Sequence, residues 1–318
     1  MASLGSVLKI RDRASEKQAA LDKRAIRLGQ LMDDRNTGKL GEEVIRIAQA
    51  MLLCTLPYSA TEERSIERKA RLGDGSTLYV TFTAGIRGVS LPFGADRKLL
   101  AWIFDRAIRS ESPYIPWGSA SEYQQEVGLA RSGKNNRDLK ARFRRISGLV
   151  INIQRRDQEG TADTLYTIIE NSYLPNSISD KYESEQRSLS PELEDRFGIQ
   201  LNRALFDDIR LHHLAVPRSL WLQSKGNSQV QDMVLWLYCR CYAARSESVI
   251  PWTSLADQFP QDSNSRRTRE HAREAIRELR LLWPGCKVEA IAAGIWVDRA
   301  TQPLLPDDPS KGRIRRLT

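Results

Sequence analysis

The sequence predicts an α+β chain, mainly α, organised as two tandem domains related by internal duplication. Three observations carry this. One phrase is written twice, as RSESPYIPWGS (Arg109 to Ser119) and as RSESVIPWTS (Arg245 to Ser254). Each copy follows a tryptophan-bearing apolar run and precedes an arginine-rich segment. Each arginine-rich segment is followed by two alternating or β-rich runs around a polar or small-residue turn, the pattern of a β-hairpin. Internal self-similarity decides architecture before any single motif does. The 318 residues suffice for two cores, and 41% hydrophobic with 28% charged residues is a globular composition.

Taken in order, residues 1–38 form a charged N-terminal arm, helical in part. The start, MASLGSVLKIRDRASEKQ, lacks the apolar run of a signal peptide, and no stretch approaches the roughly 18 apolar residues of a membrane span. A cytoplasmic protein without a membrane partner is expected. Residues 39–175 form the first domain. A helix is expected from about Leu40 to Leu53, since Val44, Ile47, Ala48 and Met51 share a face at helical spacing. STLYVTFTAG reads as a strand by its alternation and its β-branched and aromatic content. RKLLAWIFDRAIR is an apolar helix. YIPW is extended, because Pro116 disfavours helix in the residue before it. Ser119 caps a second helix, with Glu122 completing a capping box. SGKNN is a turn, RDLKARFRRISGL a third helix, and VINIQRRDQEGTADTLYTII a hairpin.

A polar, serine-rich stretch then places a linker at 176–192. The second domain, 193–305, begins with GIQLNRALFDDI. VQDMVLWLYCRCYAA is its apolar helix and VIPW its extended piece. Thr253 or Ser254 caps the next helix, with Asp257 three residues after Ser254. NSRRTREHAREAIRELRLLW is its third helix and CKVEAIAAGIWV its hairpin. Residues 306–318 are a basic tail. Both copies therefore run helix, short strand, helix, helix, hairpin. That is the order of a winged helix, a helix-turn-helix with a β wing behind it, and it predicts two tandem winged-helix domains. Trp117 and Trp252 then anchor the short strands on the core.

The net charge of +9, from 49 basic and 40 acidic residues, matters where it clusters. In the first third helix, Leu139, Phe143, Ile146 and Val150 fall within about 40° of one another at helical periodicity. Arg137, Lys140 and Arg144 lie together roughly 100–160° away, while Arg142 and Arg145 flank the apolar stripe. Arg131, Lys134 and Asn136 precede the helix, and Arg155 and Arg156 sit in the wing. In the second, Ala272, Ile276, Leu279 and Trp283 form the stripe. Arg266, Arg273, Arg277 and Arg280 fall on the matching side, with Glu270, Glu274 and Glu278 behind, and Arg267 and Arg269 belong to the same basic run. Arginine suits a reading helix because its planar fork bonds guanine O6 and N7 together and also grips phosphates. Apart from Arg142, these fifteen basic and polar positions are the expected DNA contacts, and phosphate contacts would make the affinity salt-dependent.

Catalytic chemistry is not expected. GLARSGKN (Gly128 to Asn135) nearly spells a phosphate-binding loop, but Asn135 replaces the magnesium-binding hydroxyl and the preceding SEYQQEV is a capped helix, not a strand. Three histidines, His212, His213 and His271, form no metal pattern, and Asp207 and Asp208 read as a helix surface. Cys239 and Cys241 lie in an apolar helix and read as packed thiols; four cysteines make no disulfide framework. No catalytic residue, metal or cofactor is assigned.

The runs LPFGADRKLLAWIFDRAIRSESPYIPWGSASEYQQEVGLARSGKNNRDLKARFRRI, IQLNRALFDDIRLHHLAVPRSLW, MVLWLYCRCY and IPWTSLADQF, with GIWV after them, carry a resemblance. Across most of residues 90–260 the chain resembles the plasmid-encoded RepA replication initiators. It departs from them before the third helix, where Lys134, Asn135 and Asn136 stand in place of a glycine-rich turn; the aspartate at the start of the second apolar helix is kept as Asp232. The resemblance implies a non-enzymatic winged-helix initiator that binds repeated sites (iterons) in double-stranded origin DNA. It further implies help in opening the duplex, recruitment of the host replicative helicase or initiator, plasmid copy control, and a homodimer in equilibrium with monomer. The alternative is a sequence-specific transcriptional repressor without a replication role.

Overall fold

The computed structural model describes residues 18, 26, 29–39, 43–72, 74–129, 133–175, 197–222, 228–259, 265–301 and 304, with the backbone alone at 133–137, 228, 256 and 265. They form a mixed α/β molecule with four small antiparallel sheets among the described residues. The expected linker (176–192) and basic tail (306–318) lie outside the described residues. Of the N-terminal arm, residues 29–36 are helical, with Leu31 buried. Arg35 donates from Nη1 to the carbonyl of Leu281 at 2.7 Å.

The helix expected over 40–53 is corrected. Val44–Ala48 is a strand (β1), and only Gln49–Leu53 is helical (α1). The β-branched run Val44, Ile45 and Ile47 favours a pleated surface, and β1 pairs antiparallel with His213–Pro217, Val44 opposite Pro217. Next come β2 (Ser65–Arg71) and β3 (Thr77–Ala84), joined by a turn in which Gly75 takes φ +87°. β3 fits the strand expected in STLYVTFTAG.

The first repeat contains α2 (Asp96–Arg109), β4 (Tyr114–Pro116), α3 (Ala120–Glu126), α4 (Gly133–Ser147), and the hairpin β5 (Leu149–Arg156) and β6 (Thr161–Thr167), in the expected order. Three details differ from expectation. α4 already begins at Gly133, so Lys134, Asn135 and Asn136 form its first turn rather than a loop. Val150 belongs to β5, beyond the end of α4. The capping box is half formed: Ser119 Oγ accepts from the Glu122 amide at 3.0 Å, while the Glu122 carboxylate folds back against Gly118 and accepts from Arg106. β7 (Ile169–Tyr173) and β8 (Gly198–Leu201) follow.

The second repeat is preceded by α5 (Arg203–Leu211), β9 (His213–Pro217) and α6 (Arg218–Leu222). It then runs α7 (Ser228–Ala243), β10 (Ser248–Pro251), α8 (Trp252–Gln258), α9 (Ser265–Leu282), β11 (Lys287–Ala290) and β12 (Gly294–Asp298). The cap expected at Thr253 or Ser254 is corrected. α8 starts at Trp252, directly after Pro251, whose extended backbone (φ −59°, ψ 147°) leads in without a side-chain acceptor.

The strand pairings separate the two repeats. In the second, the short strand joins its own hairpin, in the order β10-β12-β11. A Cβ at Gly294 would lie 2.1 Å from the carbonyl oxygen of Ile250, so this closure needs glycine. In the first, the hairpin extends a sheet β2-β3-β5-β6, while β4 pairs with β8 in the sheet β4-β8-β7. The tryptophans differ accordingly. Trp117 is buried edge-on against Trp102 of α2 and Phe143 of α4, at 6.0 and 5.1 Å between centroids. Trp252 is half-buried and serves the hairpin turn instead. All four cysteines are buried and free, as expected of packed thiols; burial pushes the Cys54 thiol up to about 12 and Cys239 up to about 11.

Candidate nucleic-acid interface

α9 is amphipathic by construction. Ala272, Ala275, Ile276, Leu279 and Leu282 are buried, with Trp283 just beyond the helix end. Arg266, Arg267, Arg269, Arg273, Arg277 and Arg280 are all exposed. At about 100° per residue, all of these except Arg267 share an arc of roughly 80° beside the apolar stripe. Arg267 falls with Glu274 and Glu278. Arg266 donates to Glu270 at 3.0 Å along the helix, a pair worth little because both groups are largely in water. No carboxylate holds Arg269, Arg273, Arg277 or Arg280 among the described residues, so their donors face solvent or a ligand.

Trp252 organises this face. Its indole Nε1 donates to the carbonyls of Ile291 and Ala292, both at 3.1 Å, which fastens the β11–β12 turn to the start of α8. The Arg269 and Arg273 guanidinium carbons stand 5.6 and 6.0 Å from its ring centroid. Cation–π contact of this kind restrains a long side chain without consuming its hydrogen bonds. Part of the arginine face is thus held in place next to the β11–β12 turn. Trp252 thus does more than the core anchoring expected from the sequence. The signal for its second role was present in its i+17 and i+21 arginines, but only the fold brings them together.

The first repeat presents its basic residues differently. Lys140 and Arg144 are exposed on α4. Arg145 turns inward: Nε and Nη2 donate to the two oxygens of Asp96 at 2.5 and 2.9 Å, and the guanidinium lies 4.6 Å from the Phe93 ring. Asp96 is 1% exposed and also accepts from the Phe93 amide, so this pair locks the start of α2 to α4. Arg155 on β5 is bound to Asp74 and to Ser76 Oγ. Arg156 lies on the outer face, 5.4 Å from the Tyr79 ring, with Lys69 at 5.7 Å from the same ring. Lys69 was not anticipated and joins Arg156 on this sheet. Arg131 lies outside the described residues, and Lys134, Asn136 and Arg137 fall in the part of α4 where only backbone is described.

Other chemistry finds no assembly. Among the described residues, no group of three or more His, Cys, Asp or Glu side chains is placed to hold a metal ion. No helix among them is long and apolar enough to cross a membrane. His212 Nδ1 pairs with Asp208 at 3.0 Å and His213 Nδ1 lies 2.9 Å from the Ile209 carbonyl, both on the rim of α5.

No family model matches the chain. No curated protein matches it either. Solved structures do align with it. A crystal structure of RctB domains 2-3 shares 12% identity, covering 78% of this chain and 94% of that one, with a TM-score of 0.47. Selenomethionine derivatives of domain 2 and domain 3 of RctB share 13% identity over 78% of this chain and 95% of that one, also with a TM-score of 0.47.

Proposed function

We propose that the protein is a plasmid replication initiator that binds repeated sites in double-stranded origin DNA through two winged helices. The observation that carries this reading is the arginine face of α9, set beside the β11–β12 turn by Trp252. α9 enters the major groove, and Arg273 and Arg277 supply forked donors to base edges. Arg269, Arg280 and the wing grip phosphates and fix the register. Lys140, Arg144 and Arg156 give the first repeat a second contact surface. Two modules on one face of a duplex span on the order of 20 bp. The sequence resemblance to RepA initiators supports the rest of the reading: duplex opening, recruitment of the host helicase or initiator, a homodimer in balance with monomer, and no catalytic step.

The first test is footprinting on repeats adjoining the gene. Arg273→Ala and Arg277→Ala each weaken specific binding by about 1–3 kcal/mol. Affinity also falls steeply with salt, in proportion to the phosphates neutralised. Unchanged footprints in both variants, or a flat salt response, would remove α9 from the interface. The second test places the gene and its repeats on a vector lacking an origin. Autonomous replication is expected; promoter repression without replication instead identifies a transcriptional repressor.

A further inference from the structure

A cleft of about 440 Å³ lies between the β2–β3 turn and the second repeat, away from α9. Arg71, at the end of β2, Arg240 on α7 and Arg245 after α7 line it, together with the hydroxyl-bearing Ser246 and Ser254. Asp74 is the one carboxylate among the described lining residues, and it is already bound to Arg155 and to Ser76 Oγ. With Asp74 engaged by Arg155, none of the three arginines is neutralised by a lining carboxylate.

Arg240 makes this unusual. Its Nη1 donates to the Arg71 carbonyl and its Nη2 to Gln258 Oε1, both at 2.7 Å. Both acceptors are neutral, and Gln258 Oε1 is shared with the Trp236 indole at 2.8 Å. The Arg240 Nε is buried with no acceptor. Burial pulls the guanidinium pKa below its ordinary value, and no carboxylate offsets it. A buried charge is ordinarily paired, because desolvation costs several kcal/mol otherwise. Arg71 and Arg245 are exposed and bind no carboxylate among the described residues. The fold therefore holds a guanidinium in place beside an open cleft, 5.4 Å from the Trp236 ring centroid, and the described residues supply no carboxylate as its counter-charge.

We propose that this cleft is an anion site for a phosphate group. Arg240 provides the fixed charge, and Arg71 and Arg245 close on the oxygens from the rim, with the serine hydroxyls as further donors. Planar guanidinium forks match the oxygens of a phosphate, and a dianion offsets more of the charge of three arginines than a single carboxylate does. The cleft is larger than a bare phosphate, so the group is the phosphate of an ester, belonging either to a small phosphorylated molecule or to a nucleic-acid backbone.

The test uses the full chain and two titrations. Thermal melting in inorganic phosphate and in pyrophosphate, against chloride at equal ionic strength, is expected to show a stabilisation that saturates. Arg245→Gln and Arg71→Gln, both at exposed positions, weaken that response about ten-fold each; Arg240→Met removes it if the variant folds. Titration of the same proteins with random-sequence duplex separates the sources. If the backbone is the ligand, phosphate competes with duplex, and Arg245→Gln lowers the salt slope by about one. If a small ester is the ligand, duplex affinity is unchanged while the phosphate response is lost. Arg277→Ala keeps the phosphate response in either case, which separates this site from the α9 interface. Equal melting in phosphate and chloride, together with Arg245→Gln and Arg71→Gln proteins that match wild type in both titrations, overturns the proposal.

Discussion

Residue by residue, arginine plays two distinct parts, and what each guanidinium faces decides which. Arg145 faces a carboxylate that is 1% exposed, whereas Arg273 faces solvent across an indole. Removing Arg145 leaves Asp96 with Arg142, whose Nε stands 3.9 Å off. Arg145→Ala is therefore expected to destabilise the fold by roughly 3 kcal/mol, the low end for breaking a buried pair. Arg273→Ala costs no more than about 0.5 kcal/mol of stability, as exposed positions do. Urea denaturation of both variants checks this, and equal costs would sink the distinction. The adjacent histidines are opposed in the same way. The Asp208 carboxylate that His212 bonds raises its pKa above 6.5, while burial lowers that of His213. The His212 contribution to stability is thus full below pH 6.5 and is lost as pH rises through its raised folded value. The His213 contribution is present above pH 6.5 and is lost as pH falls toward its lowered folded value. NMR titration of the imidazoles is expected to give midpoints on opposite sides of 6.5; coincident midpoints would contradict both environments.

Among the elements, the duplicated IPW phrase does different work in its two settings. In the first repeat Gly118 and Ser119 delay the helix, and Trp117 drops into the core against Trp102 and Phe143. In the second the helix begins on Trp252 itself, which keeps the indole at the surface and lets Nε1 reach the wing turn. Trp252→Phe preserves the ring under Arg269 and Arg273 and deletes that donor. A loss of about 0.5–1.5 kcal/mol is expected, with faster amide exchange at Ile291 and Gly294, whose amides and carbonyls close the turn. Exchange unchanged there would mean that the hairpin holds without the indole. Hairpins and long helices were legible in the sequence because their periodicity is local. The strand at Val44–Ala48 was not: Val44, Ile47, Ala48 and Met51 fit a helical face as well, and the partner that decides for strand is β9, nearly 170 residues on. The arginine face of α9 was legible for the same local reason. The inward turn of Arg145 was not, since Asp96 lies on another helix 49 residues earlier.

Across the whole molecule, the two halves of the chain are held together by backbone as well as by side chains. β1 pairs with β9, and β8 pairs with both β4 and β7, so two sheets join strands from before residue 176 to strands from after 196. Arg97 of α2 meets Asp232 of α7 at 2.7 Å in a buried pair, and Arg240 reaches the Arg71 carbonyl. The buried apolar residues of both repeats form one contiguous cluster. Separating the halves would expose that surface, break the ladders and strand Asp232, whose carboxyl burial already raises its pKa against the nearby Arg97 charge. A covalent link through 176–196 is then unnecessary for their union. With a protease site engineered into that stretch and cut to completion, the two pieces are expected to elute together at the mass of the intact chain and to melt in one transition. Dissociation in native buffer, or two separate transitions, would show that the halves are independent. For the DNA binding proposed above, a single melting unit fixes the distance between α4 and α9 through the shared core rather than through a tether. Inserting ten Gly/Ser residues into 176–196 should therefore leave the footprint length unchanged, whereas a tethered pair of domains would tolerate, and protect, sites spaced further apart.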